Sequence, residues 1–141
     1  MKKKTYLSRF LKITVFGMLL LLGYHFSQAQ SKLWPVPINA VNTKNPLVKD
    51  AASIKIGKIL YESYCTPCHG DKGKGDGVAS AALNPKPANH TSPAIQAETD
   101  GSLFYKISTG HGAMPKYNAS LNETQRWALV NYIRTLAKKP K

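Results

Sequence analysis

Cys65-Thr66-Pro67-Cys68-His69 is the stretch whose reading decides the fold of this 141-residue chain. Two thiols three residues apart, followed at once by an imidazole, read as a c-type haem attachment site. Each thiol adds across one vinyl group of a haem, giving two thioethers on one porphyrin edge. Over one helical turn positions i and i+3 share a face, so both sulfurs reach that edge. His69 then turns a ring nitrogen onto the iron as the proximal ligand. Three other uses compete with this one. A redox Cys-x-x-Cys belongs near a βαβ pattern, and the sequence has none. A structural zinc site takes four ligands, whereas Cys65 and Cys68 are the only cysteines. A plain disulfide leaves His69 unexplained.

The N-terminal residues are consistent with export, the condition under which a haem is attached in this way in bacteria. Residues 1–29 carry Lys2, Lys3, Lys4, Arg9 and Lys12 and no acid. An apolar run from Ile13 to about Phe26 follows, and Ser27-Gln28-Ala29 places small residues where a signal peptidase reads them. The run is about 14 residues, against roughly 20 for a spanning helix, so a signal peptide cleaved after Ala29 is expected. A retained anchor is the alternative. No cysteine follows the run, so a lipid-modified N-terminus is not expected. The expected location is the bacterial periplasm, soluble or attached to the outer face of the inner membrane.

Those 29 residues hold five of the 20 basic residues and none of the seven acids, so their removal leaves 112 residues and takes the formal charge from +13 to +8. That length makes one small domain with a limited core, to which a large apolar cofactor would add interior. The basic surface suits an acidic protein partner better than nucleic acid, because the lysines are scattered and export removes genomic targets.

Residues 30–50 read as an extended lead-in, stiffened by Trp34-Pro35-Val36-Pro37 and Asn45-Pro46. Trp34 is expected to pack on the domain rather than dock a partner. The domain proper occupies 51–141, and its pattern is all-α: three to four helices with long loops around one covalent haem. The first helix starts near Asp50 or Ser53 and runs toward Cys65, with a costly Gly57 inside it. The second fits Gly101 to Ser108, N-capped by Asp100 or Thr99 and ended by Gly110. The third runs from Glu123 to about Ala137 behind an Asn122/Gln125 capping box. Its apolar face is Trp127, Val130, Ile133, Leu136 and Ala137, with Arg134, Lys138 and Lys139 near its end. Between them, Gly70 to Gly77 is a glycine-rich loop without the pattern of a phosphate-binding loop. Asp71 and Asp76 are too few for calcium. Residues 84–98, with Pro85, Pro87, His90 and Pro93, show little helical character; a loop this long needs something packed beneath it.

The sixth iron ligand is expected to be Met114. A thioether is soft, binds haem iron and raises its potential, and Met114 alone of the three methionines lies beyond residue 29. It sits in Gly110-His111-Gly112-Ala113-Met114-Pro115, where glycines permit a sharp turn. His111 and His90 are the rival ligands, each expected instead at the surface or behind the first ligand; His25 leaves with the signal.

These separated elements together resemble a class I cytochrome c: Gly57-x-x-x-Tyr61, Cys65 to Gly70, Met114-Pro115, and Trp127 to Leu136. The resemblance covers about Ile54 to Ala137. It implies a helix crossing in which Gly57 and Tyr61 meet Leu129 and Tyr132. It also implies a proline carbonyl, from Pro85 or Pro87, that accepts the second N–H of His69. The proline-rich lead-in and Asn84-Pro85-Lys86-Pro87-Ala88-Asn89 are similar to monohaem subunits of bacterial quinol:cytochrome c oxidoreductase complexes (alternative complex III). The anchoring cysteine frequent in those subunits is missing here. The resemblance implies one haem c per chain, held by Cys65 and Cys68 and ligated by His69 and Met114. It implies single-electron transfer without enzymatic turnover in a respiratory-type chain. The partners expected are acidic redox proteins, a quinol-oxidising complex or a terminal oxidase, with Lys72, Lys74, Lys86 and Lys116 steering them. Contact with a membrane is expected only through a partner or an uncleaved N-terminus. A fixed relay subunit, and a haem enzyme or gas sensor with an open distal site, remain the other readings.

Overall fold

Asp50 starts the first long helix by accepting from the backbone N–H of Ser53 at 2.8 Å and of Ala52 at 3.4 Å. In the computed structural model, which describes residues 34–137, this helix is one of six. They are α1 (Ile38–Val41), α2 (Ala51–Tyr64), α3 (Thr66–His69), α4 (Pro93–Ala97), α5 (Asp100–Thr109) and α6 (Glu123–Thr135). Two 3₁₀ turns, Ser80–Ala82 and Tyr117–Ala119, complete the order. No strand occurs among the described residues beyond an isolated bridge between His111 and Met114. The expectations placed on residues 1–33, the signal and its cleavage among them, and on Lys138 and Lys139 lie outside the described residues.

The three long helices fall where the sequence puts them, because each has a local start signal. Thr99 caps α5 by accepting from Ser102 N–H at 3.1 Å, and Gly110 ends it. Asn122 and Gln125 close a reciprocal capping box on α6, both bonds 2.9 Å. Two short helices differ from expectation. The lead-in is not extended throughout, since Ile38–Val41 makes one helical turn after Pro37. Residues 93–97 are helical as well, with Ser92 as N-cap and Pro93 at the first position. There Pro93 starts a helix, because its missing N–H falls where no intrahelical bond is made.

Helices α2 and α6 cross at Gly57. A Cβ there would lie 2.0 Å from the Ala128 carbonyl oxygen and 2.9 Å from the Tyr132 Cβ, so only glycine allows this approach. The Tyr132 ring meets that of Tyr61 with centroids 5.1 Å apart. The backbone against Gly57 is that of Ala128. Leu129 is wholly buried in the same core cluster as Tyr61, Trp127 and Val130.

A buried polar cluster ties the lead-in to this crossing. Asn131 on α6 accepts from Asn45 Nδ2 at 2.7 Å and donates to Ser53 Oγ at 2.7 Å and to the Leu47 carbonyl. Asn45 also donates to Asp100 at 2.8 Å. Arg134 then joins Asp100, at 2.8 Å, to the carbonyls of Gln96 and Glu98 at the end of α4. Buried polar groups are stabilising only when satisfied, and no buried side-chain nitrogen or oxygen among the described residues lacks a partner.

Candidate functional site

The end of α2 runs directly into the cysteine turn. Cys65 N–H bonds back to the Tyr61 carbonyl at 2.8 Å, and the N–H groups of Cys68 and His69 return to the Cys65 carbonyl at 3.2 and 2.8 Å. The turn Thr66–His69 therefore places the two sulfurs one helical turn apart. Both thiols are free and half-buried. Burial, reinforced by Cys68, pushes the Cys65 thiol up to about 12. A redox dithiol works through a depressed thiol, and burial shifts Cys65 in the other direction. Among the described residues no three His, Cys, Asp or Glu side chains gather as a metal cage. A haem requires none, since its porphyrin supplies four of the iron's donors.

His69 is held by its inner nitrogen. Its Nδ1 lies 3.0 Å from the Ala88 carbonyl oxygen, which only accepts, so Nδ1 carries the proton and Nε2 presents its lone pair. Burial lowers the His69 pKa while the Ala88 bond opposes that shift. The accepting carbonyl is neither that of Pro85 nor that of Pro87. A Cβ on Gly75 would lie 2.4 Å from the Pro87 oxygen, so the Pro87 carbonyl faces the glycine loop. In an extended segment the next carbonyl faces the other way, and Ala88 reaches His69. Gly75 is the position where this loop, at φ +76°, needs glycine for both conformation and space. Its N–H also bonds the His69 carbonyl at 2.8 Å, and Gly77 N–H bonds that of Cys68 at 3.2 Å. The glycine loop thus folds back over the cysteine turn.

His90 is not at the surface. It is 8% exposed and stacks on His69 with ring centroids 4.1 Å apart and planes 18° apart. Burial, with His69 adding to it, pulls its pKa down to about 3, so the ring is neutral. His90 thus lies against the His69 ring itself.

Met114 is half-buried and packs on the same core cluster as Cys65. A tight turn presents it: His111 and Met114 exchange two backbone hydrogen bonds of 3.0 Å around Gly112-Ala113. His111 is exposed, so of the two it is Met114 that faces inward. Tyr117, unremarked in the sequence, joins this turn to the cysteines. Its hydroxyl donates to the Tyr64 carbonyl at 3.0 Å, and burial followed by the charges of Cys65 and Cys68 pushes it up to about 12. Lys72, Lys74, Lys86 and Lys116 are all exposed. Lys72 and Lys74 share a surface cleft of about 500 Å³ with Glu62, Asp71 and Asp76, so that patch is mixed in sign.

The donor set fits a covalent haem: two free thiols on one turn, an imidazole with its outer nitrogen available, and a thioether on the same cluster. Residues 52–133 match the family described as "Cytochrome C oxidase, cbb3-type, subunit III". Two solved structures share the fold. One belongs to a reducing HAO-like protein complex of Kuenenia stuttgartiensis, at 24% identity and TM-score 0.61, covering 79% of this chain and 53% of that one. The chain thus spans about half the length of that relative. The other is cytochrome CL from Methylophaga aminisulfidivorans, at 20% identity and TM-score 0.54, covering 77% of this chain and 72% of that one. Among the described residues no helix is long and apolar enough to cross a membrane.

Proposed function

We propose, from the premise that this chain belongs to the cytochrome c family described as cbb3-type oxidase subunit III and has the fold of a class I cytochrome c, that it serves haem-based electron transfer as a single-electron carrier with one His/Met-ligated haem per chain. The haem supplies reversible one-electron Fe(III)/Fe(II) chemistry. Cys65 and Cys68 would hold it by thioethers, with His69 Nε2 and the Met114 sulfur as axial ligands. The observation that supports this reading is the His69 Nδ1 to Ala88 bond of 3.0 Å, which keeps the proton on Nδ1, leaves the outer nitrogen's lone pair available and raises its basicity.

The chain's own residues then do three things. The Ala88 carbonyl keeps the proton on Nδ1, so the tautomer is the same in both oxidation states. The glycine loop, bonded to the carbonyls of Cys68 and His69, covers the backbone of the attachment turn. The His111/Met114 turn holds the thioether against the core; with Met114 as sixth ligand the iron would have no open position, which supports a carrier over an enzyme. Exposed lysines steer an acidic redox partner, and the site of action is outside the cytoplasm. Absorption of the purified ferric protein tests the ligation. A low-spin haem with a methionine–iron charge-transfer band is expected. A high-spin spectrum, or rapid carbon monoxide binding to the ferrous form, contradicts it and favours an open distal site.

A further inference from the structure

We propose that His90 is a positioning residue for His69: its imidazole fixes the plane of the proximal ring and keeps Nδ1–H on the Ala88 carbonyl. The proposal rests on the haem reading above and adds to it a specific second histidine. A single hydrogen bond at Nδ1 leaves a ring free to swing about that tether. The parallel stack at 4.1 Å removes this freedom by covering one face.

His90 is itself held at every end. Its Nδ1 is 3.1 Å from the Tyr61 hydroxyl, and Tyr61 is wholly buried. Its backbone N–H donates to the Gly73 carbonyl at 2.6 Å. Its carbonyl accepts at 2.7 Å from Gln96 Nε2, which also donates to the Ile133 carbonyl at 3.0 Å. The segment that supplies the stacking ring supplies the accepting carbonyl two residues earlier, so ring plane and tautomer are set by one piece of chain. A leucine would fill similar space without burying an imidazole, whose desolvation is unfavourable. The flat ring and its Tyr61 bond are what leucine lacks.

The test uses the haem-loaded protein and the variants His90→Leu, His90→Phe and Tyr61→Phe, read by ferric electron paramagnetic resonance, reduction potential and thermal melting. His90→Leu is expected to shift and broaden the g values. It should also raise the potential, because a loosened Nδ1 bond makes His69 a less basic ligand. His90→Phe, which keeps a flat ring but loses the Tyr61 bond, should fall between. Wild-type g values and potential in both His90 variants, whatever their melting temperatures, overturn the proposal and leave His90 a packing residue. If His90→Leu does not fold, His90→Phe and Tyr61→Phe decide: shifted g values support the proposal and unshifted ones overturn it. A wild-type protein without haem overturns the haem reading as well, and that result is visible before any variant is compared.

Discussion

Adding one methyl group at Gly57 sets two effects of opposite sign against each other. Alanine is the better helix former by about 1 kcal/mol, so on propensity alone Gly57→Ala stabilises α2. The crossing opposes it. The new Cβ would stand 2.0 Å from the Ala128 carbonyl oxygen, and ordinary contact begins near 3.4 Å, so α2 and α6 must part by roughly 1.4 Å. The obstacle is backbone, which cannot swing aside as a side chain does. Overpacking against such a neighbour costs about 3 kcal/mol, the upper part of the usual range. The net is a loss of about 2 kcal/mol, or roughly 10 °C in melting temperature for a domain of this size. Thermal and guanidinium unfolding of the purified protein read both quantities. A Gly57→Ala protein as stable as wild type, or more stable, refutes the close crossing.

Asn131→Leu removes the acceptor of Asn45 and the donor to Ser53 and Leu47. It should lower stability by about 2 kcal/mol in denaturant titration with an unchanged slope. Met114→Ala should open the distal position: ferrous protein then binds carbon monoxide quickly and the reduction potential falls. If neither changes, Met114 is not a ligand. Raising ionic strength from about 0.01 to 0.1 M should slow reduction by an acidic partner by roughly tenfold, measured by stopped-flow absorption. An unchanged rate removes the steering role of Lys72, Lys74, Lys86 and Lys116.

What was legible in sequence is what short-range chemistry decides. Asp50, Thr99 and Asn122 announce α2, α5 and α6 because a cap is a contact within three residues. Cys65 to His69 is legible for the same reason, being one turn of chain. Ser92-Pro93 carries an equally local signal, masked by the proline that also breaks helices. The carbonyl that orients His69 is different in kind. Every residue has one, so the path of residues 84–90 over the glycine loop, not residue type, selects Ala88 over Pro85 and Pro87. The same path carries His90 beneath that loop and onto His69. Tyr117 and Leu129 depend on how α6 and the Met114 turn dock, which is tertiary information. That Ala128 supplies the backbone against Gly57 is tertiary information of the same kind.

The central claim is that Cys65 and Cys68 hold a haem through thioethers. Mass spectrometry of the native protein after denaturation, followed by digestion to the peptide spanning Cys65 to His69, tests it most directly. The account predicts one haem's added mass on that peptide, with both thiols consumed, surviving denaturant and acid. Two unmodified thiols, or a disulfide on a peptide without haem, would contradict it.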